Sequence, residues 1–485
     1  TREHLRRWGI ADRLAAASPF GVDYPANVMF VTSLGGELIV RFEDAFNCSP
    51  APDQRYSEHS QWIPQYKLEA VLRDFATSLE SVRIEPGREL VDFEQDGQAV
   101  TAIARDVGTG ATHPIDAHYL VGADGAASTV RHLIGAEMVG TYGLSRNYNT
   151  IFRAPGLADA HPHGPGIMYW QLNPDAPSLI GPMDEGDVWF FMPTGLPDGT
   201  SFTDEEIVHL IRRSTGIDLP YEILSSDEWV ASRLLADRYA DGRVFLVGDA
   251  CHLHPPFGGF GMNMGVADGV DLGWKLAAVL QGWGGSTLLD SYELERRPAH
   301  EFVMQEAEAN HALNPSGLFR PGMEAPTPDG EAIRAEVARV IAEHKRDEFY
   351  ALGVVLGVCY RHSLVIAGDG RSADEKPSRD YTPSAAPGCL APHRWLDDGS
   401  SLYDRFGSGF TLLLLGDDHE DDVTAAAAES ERTGTPLEIV PVDDPAVAVL
   451  YETGLVLIRP DQHIAWRGNS WPATDLLCHV TGRQT

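Results

Sequence analysis

Positive charge is scarce in this 485-residue chain: 37 lysines and arginines stand against 71 aspartates and glutamates, a formal net charge of -34. A surface so acidic repels phosphate backbones and anionic membranes, so neither nucleic acid nor membrane is an expected partner. Basic residues gather no further than pairs such as Arg6-Arg7, Arg212-Arg213 and Arg296-Arg297. Cysteine is scarce too. Cys48, Cys251, Cys359, Cys389 and Cys478 are odd in number and widely spaced, and no C-x-x-C occurs. That argues against a disulfide framework or a zinc site; no metal is expected, and a reducing, cytoplasmic setting fits. No apolar run approaches the roughly 20 residues of a membrane helix. The first residues carry no apolar core of a signal peptide. What is present is ordinary globular material, 43% hydrophobic and 22% charged, which excludes a disordered or fibrous chain. The length suggests roughly two to four domains.

Periodicity then divides the chain. Leu5, Trp8 and Leu14 read as an amphipathic helix already in progress at the first residue. Residues 27 to 42 read as a β-hairpin around Leu34-Gly35-Gly36, and 65 to 78 as a helix. Strands are expected at 82 to 85, 88 to 94 and 99 to 106, and the apolar 119 to 123 as a strand buried on both faces. Residues 166 to 172 and 187 to 193 are aromatic strands; Met168 and Trp170 share one face and Tyr169 the other. Residues 243 to 247 form another buried strand, and helices are read at 266 to 281, 289 to 312 and 331 to 356. A Gly/Ser/Asp/Pro-rich linker spans 367 to 388, and a last segment alternates strand and helix from Phe410 to Arg467.

The chemistry is concentrated in residues 242 to 276. A buried strand ends in Gly248-Asp249, where a carboxylate can bind a ligand hydroxyl. Pro255-Pro256 stiffens the next loop, and Gly258, Gly259 and Gly261 let a flat ligand approach the backbone. Met262 and Asn263 open a helix whose free N–H groups favour negative charge. The string Gly248-Asp249-Ala250-x-His252-x-x-Pro255-Pro256-x-Gly258-Gly259-x-Gly261-Met262-Asn263 resembles the signature of the class A FAD-dependent monooxygenases, the flavoprotein aromatic hydroxylases. Asp268, Leu272, Trp274, Lys275 and Leu276 in the following helix match it as well, as do Glu295-Arg296-Arg297-Pro298. The segment Asp124-Gly125-Ala126-Ala127-Ser128-Thr129-Val130-Arg131 resembles the family's Asp-Gly fingerprint, and residues 62 to 73 its flavin-contacting helix.

The resemblance implies FAD as cofactor and NADH or NADPH as co-substrate. It places Asp249 on the ribityl chain, Gln65 on the flavin side chain, and Met262 and Asn263 at the ring's pyrimidine end, with Gly261 as a further cofactor-binding residue. Asp124, with Arg131, falls near the pyrophosphate, and Pro256 beside the reactive edge of the ring. His254 is a candidate substrate-side catalytic group, and Met168 and Trp170 are expected to line the substrate pocket. The implied reaction is hydroxylation of a phenolic or related aromatic substrate with O2 through a flavin hydroperoxide. A tailoring oxygenase of a polycyclic or heteroaromatic natural product is a second reading, and a non-catalytic subunit of the same fold a third. A homo-oligomer is possible.

The implied fold is α/β. A Rossmann-like FAD-binding domain (1–19, 63–140, 233–312) is interwoven with a substrate-binding β-sheet domain (20–62, 141–232). A helical connection (313–366) and the linker lead to a thioredoxin-like domain (389–485) resembling that of the phenol hydroxylase branch. It has no redox C-x-x-C, so a structural or interface role is expected. The family's opening G-x-G-x-x-G is absent. About 40 upstream residues, the size of one βαβ unit, are therefore expected to be missing from the sequence as it stands.

Overall fold

The computed structural model describes residues 1–196, 200–311, 315–368 and 379–483. Parts of the linker and of the junction near 312 lie outside the described residues. The fold is mixed α/β. Its largest element is an eight-stranded sheet, in the order His252–Leu253, Glu222–Ala236, Met138–Arg153, Val188–Pro193, Ser178–Asp184, Met168–Gln171, Val28–Val31 and Leu38–Phe42. The early hairpin forms, with Phe30 opposite Val40. Its first strand also pairs in parallel with 168–171, placing Val28 beside Met168 and Phe30 beside Trp170.

That register sorts the aromatic side chains into two layers, because successive residues of a strand point to opposite faces. Phe30 and Trp170 meet Val337, Ile341 and Phe349 of the helix Pro328–Phe349. Met29, Val31 and Tyr169 meet Ile207 and Ile211 of the helix Asp204–Thr215 on the other side. The latter helix starts at a capping box between Thr203 and Glu206 and ends at Gly216, whose φ of 68° suits a residue without a Cβ.

A three-stranded sheet runs Ala240–Asp241, Val244–Leu246, Leu120–Gly122, the last two parallel. Its core joins Val244 and Leu246 to Val130, Leu272 and Tyr292 from the helices Thr129–Leu133, Phe260–Leu280 and Ser286–His311. The strand expected to be buried on both faces is an edge strand instead, and Val121 is 39% exposed. No strand forms at 82 to 85, because Pro86-Gly87 turns the chain there; pairing starts at Arg88–Gln95. The helix read from 266 starts at Phe260, with Gly259 as its left-handed cap.

The C-terminal unit has four strands, Leu437–Val442, Phe410–Leu415, Leu455–Ile458 and Ile464–Gly468. The first pair is parallel and the others antiparallel. The helix Pro445–Tyr451 was not expected, although Asp444 caps it and Pro445 opens it, both start signals. One sheet face packs Phe410 and Leu457 on Ala278, Trp283 and Leu288, so the unit sits directly on the helix Phe260–Leu280 and its neighbour.

The expectation of no disulfide is corrected. Cys359 and Cys389 are bonded, 30 residues apart in sequence. An antiparallel bridge between these two residues and a hydrogen bond from the Tyr360 N–H to the Gly388 carbonyl (2.9 Å) bring the thiols together, which spacing alone does not reveal. Cys48, Cys251 and Cys478 are free and buried. No described helix is long and apolar enough to cross a membrane.

Candidate active site

Three chain segments converge below the large sheet. The strand Val244–Leu246 delivers the turn Gly248–Ala250; the loop through Pro256 follows; Gly258 (φ 89°) and Gly259 (φ 67°) then fold it back into the helix Phe260–Leu280. A Cβ on Gly258 would lie 2.3 Å from the Phe260 ring, so this turn tolerates only glycine. At Gly261 a Cβ would meet only the Cβ of His254, at 3.6 Å. The chain itself therefore does not demand glycine there.

Between this helix and the sheet lies a cavity of about 620 Å³. It brings together Gln65, Met168, Trp170, Pro256, Met262 and Asn263. Asp124, Asp249, His254 and Gly261 are not in its lining. Gln65 opens the helix Gln65–Thr77 and donates to Glu69 (2.8 Å). Asn263 donates to the Gly259 carbonyl (2.9 Å) and accepts from the Thr1 hydroxyl (2.6 Å). Trp170 is 6% exposed and stacks on Phe30 at 6.0 Å, while its indole N–H has no partner among the described residues.

Asp249 sits at the end of its strand and makes no hydrogen bond among the described residues. Its carboxylate is open to solvent on one side, yet burial raises its pKa against the pull of His252. Asp124 is engaged locally: it accepts from the Ser128 hydroxyl (2.5 Å) and the Val130 N–H (3.0 Å) at the start of a short helix. Buried Arg131 donates to the carbonyls of Ala126 (2.8 Å) and Ala250 (2.9 Å), and so ties the Asp-Gly segment to the Gly-Asp turn.

Behind the turn is a buried polar cluster. Asp268 accepts from the Gly248 N–H (3.0 Å) and the Arg296 guanidinium (2.8 Å), and lies 2.8 Å from His252 Nε2 and 2.9 Å from His300 Nε2. Burial would raise its pKa, but His300, Arg296 and the hydrogen bonds outweigh this and hold it well below the carboxylate range. Cys251, His252 and Asp268 lie close enough to share an ion. Both carboxylate oxygens are already used, however, and the fixed charge of Arg296 opposes a cation. His254 packs edge-on against His252 and His300, and its ring nitrogens find no hydrogen-bond partner among the described residues.

Burial drives several histidines to low pKa: His161 and His393 to about 4, His300 to about 3, and His254 well below its ordinary value. Each stays neutral in the folded protein, whereas its unfolded counterpart takes up a proton below about pH 6.5. The unfolded state then binds more protons, so this stability is complete above that pH and is lost as the pH falls. Thermal midpoints should decline steadily between about pH 7 and about pH 5. A flat profile would contradict neutral burial.

Sequence reasoning missed much of the cavity wall. The stretch from Phe349 to Leu356 contributes, and so do Leu390, Asp461, Gln462 and His463 of the C-terminal unit. Nothing in the string Arg459-Pro460-Asp461-x-His463 announces a cavity. His300 was also missed; its signal is its place one turn beyond Arg296 on the same helix.

A helix N-terminus opened by glycines beside a mostly apolar cavity suits a flat, anionic cofactor, and such a site fits FAD. The comparisons agree. The FAD binding domain family matches residues 3–307, and the aromatic-ring hydroxylase C-terminal family matches 384–483. Tetracenomycin A2 monooxygenase-dioxygenase of Streptomyces glaucescens is 35% identical over 445 residues, 85% of this chain and 73% of the relative. The rebeccamycin biosynthetic enzyme RebC with reduced flavin superposes with a TM-score of 0.89 at 34% identity, covering 100% of this chain and 90% of that one. Aklavinone-11 hydroxylase in complex with FAD and aklavinone gives 0.81 at 31% identity, covering 99% and 90%. The chain belongs to the family of FAD-dependent aromatic-ring monooxygenases. It is an enzyme that uses FAD to hydroxylate an aromatic substrate, with a nicotinamide co-substrate typical of the family.

Proposed function

We propose that the substrate is a polycyclic aromatic natural product of the kind on which the relatives act, and that this chain tailors it by ring hydroxylation. The observation that carries this reading is the extent of the apolar wall: Phe46, Trp62, Met168, Trp170, Leu179 and Phe257 line one continuous cavity, more apolar surface than a lone phenol beside a flavin would cover. Bound FAD supplies the oxygen-activating redox chemistry, with O2 and NADH or NADPH as co-reactants. The chain's own residues bind and orient. In this reading Asp249 holds the ribityl chain, and the main-chain N–H groups of Gly261, Met262 and Asn263 face the pyrimidine end. Gln65 flanks the flavin side chain, Asp124 and Arg131 shape the pyrophosphate side, and Pro256 closes on the ring's reactive edge. The sheet residues Met168 and Trp170 roof the substrate and exclude water. His254 has no exposed nitrogen atom and is assigned to packing beneath Gly261.

The domain division read from the sequence is retained, with residues 389–485 as a thioredoxin-like unit and the N-terminal region as Rossmann-like. The turn-and-helix geometry around residues 244–280 supports the latter. A cytoplasmic setting, where FAD and nicotinamide donors are found, and a homo-oligomer complete the proposal.

The deciding experiment is nicotinamide oxidation and product formation by the FAD-loaded enzyme. Tetracyclic aromatic polyketides should stimulate both more than simple phenols do; stimulation by phenol alone would reverse the assignment. Asp249→Ala removes a charge-assisted hydrogen bond worth roughly 1.5–3 kcal/mol, so FAD affinity should fall about ten- to a hundred-fold. Unchanged affinity in a fluorescence titration would remove Asp249 from the site.

A further inference from the structure

Arg459 follows the strand Leu455–Ile458 of the C-terminal unit and is among the largest fully buried side chains. It donates to both oxygens of Asp461 (3.0 and 2.6 Å) and both oxygens of Glu295 (2.7 and 2.9 Å), and to Asp271 (2.9 Å). Asp271 lies on the helix Phe260–Leu280 and Glu295 on Ser286–His311. Lys275 completes the cluster with bonds to Asp271 (2.8 Å) and Glu295 (2.6 Å). The guanidinium lies between two rings, 5.1 Å from the centre of Trp274 and 5.2 Å from that of Tyr360.

This arrangement exceeds what docking two domains requires. Burying five ionisable groups together is costly, and apolar packing of the kind at Phe410 and Trp283 would hold the units together more cheaply. What the charges add is fixed geometry, since a guanidinium fork accepts a carboxylate in few orientations. Both ends of that geometry reach the cavity. Asp271 lines it, two turns along the helix from Asn263, and so do Asp461, Gln462 and His463 just beyond Arg459. Gln462 is held in the left-handed region (φ 70°) and is 1% exposed, and His463 stacks on Tyr360 at 4.2 Å.

We propose that Arg459 is a positioning residue for the flavin site: it fixes the helix Phe260–Leu280 and the wall at 461–463 in one register, so that the C-terminal unit helps set the cofactor's environment. The proposal rests on the FAD reading, and the test separates the two. Full-length wild type, Arg459→Lys, Arg459→Met and Leu413→Ala are compared. Leu413 is fully buried in the face of the C-terminal sheet that points away from the cofactor helix, so its variant reports lost stability alone. FAD titration, the visible spectrum of bound flavin and the thermal midpoint of the cofactor-free protein are measured for each. Arg459→Met should bind FAD at least about tenfold more weakly and alter the flavin spectrum, with Arg459→Lys intermediate. Leu413→Ala should lose midpoint but keep FAD affinity within about twofold. If Arg459→Met does not fold, Arg459→Lys carries the comparison. The proposal is overturned if the folded Arg459 variants bind FAD as wild type does with an unchanged spectrum, or if Leu413→Ala loses as much affinity as they do. Failure of the wild type to bind FAD would instead overturn the cofactor reading.

Discussion

Replacing Asp268 with alanine is expected to destabilise the protein by on the order of 3–5 kcal/mol, the loss typical when one partner of a buried ion pair is removed. Asp268 is fully buried and Arg296 is 2% exposed, so the guanidinium loses its carboxylate partner where little water can replace it. His252, His300 and the Gly248 N–H lose their acceptor in the same step. The Gly248 bond matters beyond stability, because it anchors the turn that presents Asp249. Asp268→Asn keeps the shape and one acceptor, and its thermal midpoint should fall between those of wild type and Asp268→Ala. Equal midpoints for Asp268→Ala and wild type would show that the cluster contributes nothing.

Trp170→Ala should do two things at once. The side chain is 6% exposed and stacked on Phe30, so truncation leaves a hole in the sheet's core and costs about 3–5 kcal/mol. It also lines the cavity, so the surviving enzyme should show a raised substrate KM and nicotinamide oxidation uncoupled from hydroxylation. Trp170→Phe separates the effects, since it refills most of the volume and removes only the indole N–H. A midpoint near wild type with altered coupling is expected for Trp170→Phe. Normal coupling in both variants would make Trp170 core alone.

What the sequence revealed depended on the range of the interactions. The hairpin at 27 to 42 and the aromatic strand at 166 to 172 were legible because alternation is a local pattern. The strands Met138–Arg153 and Glu222–Ala236 were harder to read, because much of each is exposed and their pairing spans the intervening sheet. That Met262 and Asn263 stand at the opening of a helix was legible through spacing within one loop. The joining of Arg459 to Glu295 was not, since 164 residues separate them. Cys359 and Cys389 escaped for the same reason, as spacing carries no record of which loops meet. Val121 misled in the opposite direction: an apolar run was read as a buried strand, whereas position at a sheet edge decides exposure.

The parallel pairing of Val28–Val31 with Met168–Gln171 has a consequence for how the chain acquires its structure. Partners such as Val28 and Met168 stand 140 positions apart, and the segment between them carries the Asp-Gly region, the three-stranded sheet of Arg88–Gln95, Val100–Asp106 and Thr112–Ala117, and one strand of another sheet, Leu120–Gly122. Closing so long a loop is entropically costly before any contact rewards it, so this join forms late and slowly. During synthesis the first hairpin emerges long before its neighbour exists. It must wait with Phe30 and Phe42 uncovered, a natural client for a chaperone.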